Sequence, residues 1–150
     1  MLIKLREGIS MSEKSQYKTR QREELLNFLR TTDSDHITVG EVCGHFQRCG
    51  SPIGTATVYR HLERMVDEGL VNKYTIDAGS PACFEYIGAE SHGGEACFHC
   101  KCEKCGRLIH LHCEELQGLS EHVLTHHGFR INPLRTVFYG VCDECREAEK

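Results

Sequence analysis

Two Cys-x-x-Cys pairs constrain the fold of this chain more than any other feature of its sequence. They are Cys102/Cys105 and Cys142/Cys145, and the 36 residues from 106 to 141 lie between them. Four thiolates in two such turns can surround one Zn²⁺ tetrahedrally, with each sulfur about 2.3 Å from the metal. The alternatives are a redox-active pair or two disulfides, which a cytoplasmic chain with two separated pairs disfavours. We predict a closed, non-catalytic zinc site that ties the end of a domain to its beginning.

The distribution of residue types predicts two small domains. Eight of the ten cysteines and seven of the ten histidines follow residue 80. Residues 81–150 carry the whole formal charge of −4, whereas residues 1–80 are neutral overall, and residues 14–30 carry a local charge of +3. This pattern argues against indiscriminate nucleic-acid binding but allows one basic face. We find no run of about 18 apolar residues and no signal peptide. We therefore expect a cytoplasmic protein without a membrane partner.

Residues 1–87 have the element order of a winged helix-turn-helix domain. Hydrophobic periodicity predicts three helices, and the segments LVNKYTI and CFEYI predict a β-hairpin after them. Thr38 and Glu41 have the spacing of a capping box at the start of the second helix. Gly69 is placed to end the third helix. The alternative is a small helical domain with an appended hairpin.

The remaining sequence predicts a flexible start, a hinge and a second domain. We expect residues 1–14 to be flexible. Residues 88–95 are polar and glycine-rich, which is typical of a hinge. Residues 96–150 predict strands, one helix of about 14 residues, and a final strand, so the overall fold class is α+β.

Strand alternation separates the metal ligands of the second domain into two groups. If CFHCKC is a strand, neighbouring side chains point to opposite faces. Cys102 then faces the Cys-x-x-Cys pairs, while Cys97 and His99 face the other side. The same rule places His110 and His112 on one face of the next strand. The sequence therefore predicts a second metal site separate from the first.

The third predicted helix carries polar and basic residues on its exposed N-terminal half, the end that a recognition helix inserts into the major groove of DNA. Tyrosine and threonine side chains can contact thymine methyl groups, while arginine can bind phosphate or guanine. The candidate DNA-binding residues are Thr55, Thr57, Tyr59 and Arg60. The alternative is that they are ordinary helix-surface residues.

Taken together, four motifs resemble the ferric uptake regulator (Fur) family of bacterial metalloregulators. They are TATVYRHLERMVDEGLV, CEKCG, HHGF and the terminal Cys-x-x-Cys, and the resemblance spans residues 16–146. It implies a homodimeric repressor whose winged helix binds an AT-rich inverted repeat in double-stranded DNA. It also implies a C-terminal α+β dimerisation domain and a sensor for iron, zinc, manganese or peroxide.

The resemblance also implies roles for individual residues. The structural zinc site falls on Cys102, Cys105, Cys142 and Cys145. The regulatory metal site near the hinge falls on His36, Glu90, Cys97, His99 and His110. Contacts near the DNA backbone fall on Lys18, Thr19 and Arg22. Cys83, His92 and His112 remain alternatives for one of the regulatory ligands.

The departures from the family pattern bear on the sensed metal. A further family site would need ligands at positions that hold Ala96, Phe98, Gln117 and Leu134, so we expect this site to be absent. Cys97 stands where the family has histidine, which makes the regulatory site softer and favours Zn²⁺ over Fe²⁺ or Mn²⁺. We therefore expect zinc as co-repressor, with an iron- or manganese-responsive regulator or a thiol-based peroxide sensor as alternatives. No HExxH or deaminase motif is present, so we expect neither enzymatic activity nor a small-molecule substrate.

Overall fold

The structure is a computed structural model that describes residues 11–32, 36–88 and 97–149. The first part of the chain forms three helices and a two-stranded antiparallel hairpin. Their bounds are α1 Met11–Thr31, α2 Val39–Arg48, α3 Thr55–Asp67, β1 Val71–Tyr74 and β2 Cys83–Tyr86. This is the predicted order of a winged helix-turn-helix domain.

Local sequence signals set the ends of these helices. The Thr38 side chain accepts a hydrogen bond from the Glu41 backbone N–H, and the Glu41 carboxylate accepts one from the Thr38 backbone N–H, so the predicted capping box is confirmed. Gly69 follows α3 with φ of 74°, a conformation that favours glycine. The helix α1 begins at Met11. Residues 11–14, which we expected to be flexible, are therefore helical in the structure.

The core of the winged helix lies between the three helices and the hairpin. Leu25, Val42, Val58 and Leu62 are fully buried in it. One strand-like bridge extends the hairpin: the backbones of Ile37 and Phe84 exchange hydrogen bonds of 2.9 and 2.8 Å. This bridge fixes the segment before α2 against β2. It therefore also positions His36, the residue that precedes Ile37.

The second part of the chain is a mixed sheet with a crossover helix. Its elements are β3 Phe98–Cys102, β4 Leu108–Leu111, α4 Glu114–His127, a short 3₁₀ helix Pro133–Arg135, β5 Val137–Gly140 and α5 Asp143–Glu147. The strand order is β4-β3-β5, with β4 antiparallel and β5 parallel to β3. The helix α4 connects β4 to β5, and the fold class is α+β as predicted.

The hairpin of the winged helix packs directly on this sheet. Tyr74, Ile76 and Cys83 form an apolar cluster with Cys97, and Leu134 packs against it. The backbone N–H of Thr75 donates to the carbonyl of Leu134 at 2.9 Å. The two parts of the chain therefore meet where the hairpin packs on the 3₁₀ helix and on the residue that precedes β3.

A polar contact lies beside this apolar cluster. The Lys101 Nζ on β3 lies 2.7 Å from both the Asp77 carboxylate and the Ser80 hydroxyl, which follow β1. The lysine ammonium holds the pKa of the Asp77 carboxyl at about 2, so this carboxylate keeps its charge in mildly acidic solution.

No helix in the parts of the chain that the structure describes is long and apolar enough to cross a bilayer.

Candidate metal centres and DNA-facing surface

The two Cys-x-x-Cys pairs converge on one point. The sulfurs of Cys102, Cys105, Cys142 and Cys145 all lie within 4.8 Å of one another. Cys102 ends β3, and Cys142 follows β5, so the parallel pairing of these strands brings the two pairs together. The Glu103 backbone N–H donates to the Gly140 carbonyl at 2.8 Å, which holds the two turns in register.

The electrostatics of this four-cysteine cluster suit a bound cation. Backbone N–H groups of Cys105 and Cys142 lower the pKa of the Cys102 thiol to about 6. Hydrogen bonds with the neighbouring thiols of Cys142 and Cys105 raise the pKa of Cys145 to about 12. The cluster therefore stabilises one thiolate but resists several without a positive charge among them. Four sulfurs at this spacing fit tetrahedral Zn²⁺.

A second cluster lies where the winged helix meets the sheet. Ligand atoms of His36, Cys83, His99 and His110 lie within 4.8 Å of one another, and the first three residues are buried. The loop before α2 supplies His36 and the strand β2 supplies Cys83. The sheet supplies the two other histidines from directly paired positions on β3 and β4.

His36 is the centre of this second cluster. Its Nε2 lies 2.9 Å from the Sγ of Cys97, and its Nδ1 lies 3.3 Å from the Nε2 of His99. Its ring stacks on the ring of His110 with centroids 3.9 Å apart. Four potential ligands therefore converge at this point, while the thiol of Cys97 contacts the ring nitrogen of His36 that does not face His99.

The histidines of this second cluster are held in the neutral form. Burial, with smaller contributions from His110, His99 and His112, lowers the pKa of His36 to about 3. Burial and His110 lower the pKa of His99 to about 4. Neutral imidazole is the form that binds a metal, so these histidines need not lose a proton at pH 7.

The structure brings some, but not all, of the predicted regulatory residues together. His36, His99 and His110 belong to the group of ligand atoms, and Cys97 contacts His36 from outside that group. Glu90 and the alternative His92 lie outside the described residues. His112 influences the pKa of His36 but is not in the group of ligand atoms.

Two residues of β2, Cys83 and Glu85, lie closer to the second cluster than the sequence predicted. Cys83, a mere alternative before, belongs to the group of ligand atoms. Glu85, which we did not consider, accepts a hydrogen bond of 2.5 Å from the Tyr74 hydroxyl. The Tyr74 ring lies 4.6 Å from that of His36. Period-two alternation in CFEY places Cys83 and Glu85 on one face, and that signal was available in the sequence.

The candidate DNA-binding residues lie on two helices at the surface. On α3, Thr55, Tyr59 and Arg60 are exposed and Thr57 is half-buried. On α1, Lys18 and Thr19 are exposed, but the Thr19 hydroxyl donates to the Ser15 carbonyl at 3.0 Å. Arg22, also on α1, forms an ion pair with Glu68.

Comparisons with known proteins agree with this architecture. The sequence profile of the ferric uptake regulator family matches residues 13–139. The ferric uptake regulation protein of Neisseria meningitidis is 27% identical over 132 residues, which cover 88% of each chain. The zinc uptake regulation protein of Mycobacterium tuberculosis is 32% identical over 128 residues, which cover 85% of this chain and 93% of that protein.

A solved structure, the ferric uptake regulator of Helicobacter pylori, has the same fold. It superposes with a TM-score of 0.66 over 91% of this chain and 88% of that chain, at 20% identity. The resemblance inferred from the motifs is thereby confirmed. The chain belongs to the ferric uptake regulator family, and it is a metal-responsive transcriptional regulator rather than an enzyme.

Proposed function

We propose that this regulator is a zinc-responsive repressor that binds an AT-rich inverted repeat as a homodimer. The observation that carries the proposal is the composition of the second cluster. His36 and Cys83 come from the winged helix, whereas Cys97, His99 and His110 come from the sheet domain. A divalent metal held by these residues would link the two domains.

The donor set supports zinc as the sensed metal. Two thiols beside three imidazoles make a softer site than carboxylates and imidazoles would, and soft sites favour Zn²⁺ over Fe²⁺ and Mn²⁺. Similarity to a zinc uptake regulation protein points the same way. The four-cysteine cluster holds a second, structural zinc in this proposal, since all four of its ligands are cysteines and all lie in the sheet domain.

The proposed mechanism rests on the position of His36. Ile37 is hydrogen-bonded to β2 and Thr38 caps α2, so a movement of His36 moves the winged helix with it. When His36 is held against His99 and Cys97, the angle between winged helix and sheet is fixed. In a dimer, only some angles place the two recognition helices about 34 Å apart, one turn of DNA. If the metal binds more tightly when the domains are at that angle, metal binding raises the affinity for DNA.

The sheet domain offers a surface for the proposed dimer. Phe138, Tyr139 and Val141 on and after β5 are exposed, as are Leu124 and Phe129 at the end of α4. Exposed apolar groups on this scale are typical of interfaces. The two winged helices of a dimer joined here would each be free to bind one half of an inverted repeat.

A DNA-binding titration tests this function. Protein that retains zinc in the four-cysteine cluster is titrated with buffered Zn²⁺, Mn²⁺ or anaerobic Fe²⁺, and anisotropy of a labelled AT-rich inverted repeat reports binding. We expect low free Zn²⁺ to raise the DNA affinity, and Cys83→Ser and Cys97→Ala to shift this response to higher zinc. Cys49→Ser, which removes an exposed thiol, should respond like the wild type. Equal activation by Mn²⁺ or Fe²⁺ with a normal response from both variants would show an iron- or manganese-type regulator instead.

A further inference from the structure

Candidate metal ligands are not the only side chains that connect the winged helix to the sheet domain. The turn between β1 and β2, residues 77–80, lies against the sheet through four polar side chains. They are Asp77 and Ser80 from the turn, Lys101 from β3 and Tyr139 from β5. We call this set the wing contact. None of its members is a candidate ligand of either metal cluster.

The sheet supplies its two members of the wing contact from neighbouring strands. Lys101 on β3 pairs directly with Tyr139 on β5, and Lys101 follows His99 by two residues. Side chains two residues apart in a strand lie on the same face of the sheet. Lys101 therefore lies on the face of β3 that carries His99 and Cys97. The wing contact and the second cluster both join this face to the winged helix.

Both carboxylate oxygens of Asp77 accept hydrogen bonds. Its Oδ1 accepts one of 2.9 Å from the backbone N–H of Gly79, which orients the carboxylate within the turn. Its Oδ2 accepts from the Lys101 Nζ at 2.7 Å and from the Tyr139 hydroxyl at 3.3 Å. The Lys101 Nζ also donates to the Ser80 hydroxyl oxygen at 2.7 Å. Because the turn already orients the carboxylate, the contact loses less side-chain entropy on forming than two free side chains would.

The ion pair of the wing contact differs from the other ion pairs of the chain in its position. Within residues 11–32, 36–88 and 97–149, only the pair of Asp77 and Lys101 joins the winged helix to the sheet domain. It is also the least exposed of these pairs, with side chains 22% and 26% exposed. Solvent and salt screen it less than a pair on the open surface.

The wing contact and the second cluster require the same arrangement of the two domains. Ligand atoms of His36 and Cys83, from the winged helix, lie within 4.8 Å of those of His99 and His110, from the sheet, in the arrangement that also forms the wing contact. The apparent affinity of a ligand falls with the fraction of protein in the binding-competent arrangement. A contact that stabilises this arrangement without metal therefore raises the affinity for metal.

We infer that Lys101 is a positioning residue for the regulatory metal, because its contacts with Asp77 and Ser80 hold the winged helix on the sheet before the metal binds. The identity of the metal rests on the proposed function, whereas the docking of the two domains does not. The affinity of the second cluster then depends on a side chain that does not touch the metal.

Two readouts test this role in the full chain with zinc retained in the four-cysteine cluster. Hydrogen exchange of the Thr75 backbone amide reports docking, because this N–H donates to the carbonyl of Leu134 in the other domain. Competition with a chelator reports the zinc affinity of the second cluster. Without metal at that cluster, the Thr75 amide should exchange faster in Lys101→Gln and in Asp77→Asn, which keeps the oxygen that accepts from Gly79. Both variants should bind zinc roughly threefold to tenfold more weakly.

The matched control is Lys73→Gln, which removes a partly exposed lysine paired with Glu63 inside the winged helix and should leave both readouts at the wild-type values. The double variant of Lys101→Gln and Asp77→Asn should bind zinc no more weakly than either single variant, because both changes remove one contact. Wild-type zinc affinity in both single variants overturns the inference, even with faster Thr75 exchange, and so does an equal loss in Lys73→Gln. If both variants bind zinc more weakly but zinc does not change DNA affinity, the repressor mechanism fails and the positioning role stands.

Discussion

His36 is a residue of the winged-helix part whose side chain lies among residues of the sheet domain. Both of its ring nitrogens contact side chains of the sheet domain, Cys97 and His99, and its ring stacks on His110. Its backbone neighbour Ile37 is bridged to β2. The backbone of this buried residue is therefore part of the winged helix, whereas its side chain contacts residues of the sheet domain.

The buried histidines predict a pH dependence of stability in protein that lacks metal at the second cluster. In the unfolded chain a histidine has a pKa near its ordinary value of about 6.5, whereas in the fold His36 and His99 have pKa values of about 3 and about 4. Between these limits the unfolded state binds more protons than the folded state. The free energy of unfolding should therefore fall as pH falls from 6.5, by at most about 1.4 kcal/mol per pH unit for each histidine.

Denaturant unfolding at pH 7 and pH 5 measures this effect. The pH dependence should shrink in His36→Gln and in His99→Gln. His126→Gln, which replaces an exposed histidine on α4, should keep the pH dependence of the wild type. An unchanged pH dependence in both buried-site variants would show that these histidines are already protonated in the fold.

For individual residues, the sequence predicted the types of ligand in the second cluster better than it predicted which residues belong to it. Alternation along β3 correctly separated Cys97 and His99 from Cys102, because side-chain direction in a strand is a local property. The position of Cys83 depends instead on how the hairpin packs on the sheet. That packing is a long-range contact, so alternation along β2 predicts that Cys83 and Glu85 share a face but not what that face packs against.

The start of helix α2 is set by a local sequence signal that lies next to a residue of the second cluster. The capping box at Thr38 and Glu41 fixes the first turn of the helix only two residues after His36. Such signals made the start of α2 and the end of α3 predictable. The start of α1 was not, because residues 11–20 are exposed and carry no apolar stripe that would mark helix. The bridge between Ile37 and Phe84 was also missed, since pairing of distant segments leaves no periodic signal.

Loss of this cap should affect both stability and metal binding. Thr38→Ala removes the side-chain oxygen that accepts from the Glu41 N–H, and such changes cost about 1 kcal/mol of unfolding free energy. We also expect weaker zinc binding at the second cluster, since the segment that positions His36 loosens. Chemical denaturation and competition with a zinc chelator measure the two effects.

Thr31→Ala provides a matched comparison. Its exposed hydroxyl only donates to the carbonyls of Asn27 and Phe28 in the last turn of α1, so its loss should change stability by about 0.5 kcal/mol or less. If Thr38→Ala leaves zinc affinity at the wild-type value, the α2 cap does not position His36.

Across the whole molecule, the two proposed metal centres have different structural roles. The four-cysteine cluster joins the two ends of one domain, because Cys102 and Cys142 lie at the ends of paired strands. The second cluster lies where the hairpin of the winged helix packs on the sheet domain. A metal within one domain stabilises that domain, whereas a metal between domains selects their arrangement. In the proposed function, only the second arrangement converts metal concentration into a change in DNA affinity.

The measurement that tests this account most directly is the reciprocal coupling between zinc and DNA. Zinc affinity of the second cluster is measured with and without the operator duplex, and DNA affinity is measured with and without zinc. Thermodynamic linkage requires the two ratios to be equal, and typical couplings are about 5- to 150-fold. We expect equal ratios in the wild type and a ratio near one in both directions for His36→Ala. Zinc affinity that is the same with and without DNA would contradict the account, because the metal would then not distinguish the DNA-binding arrangement of the domains from any other.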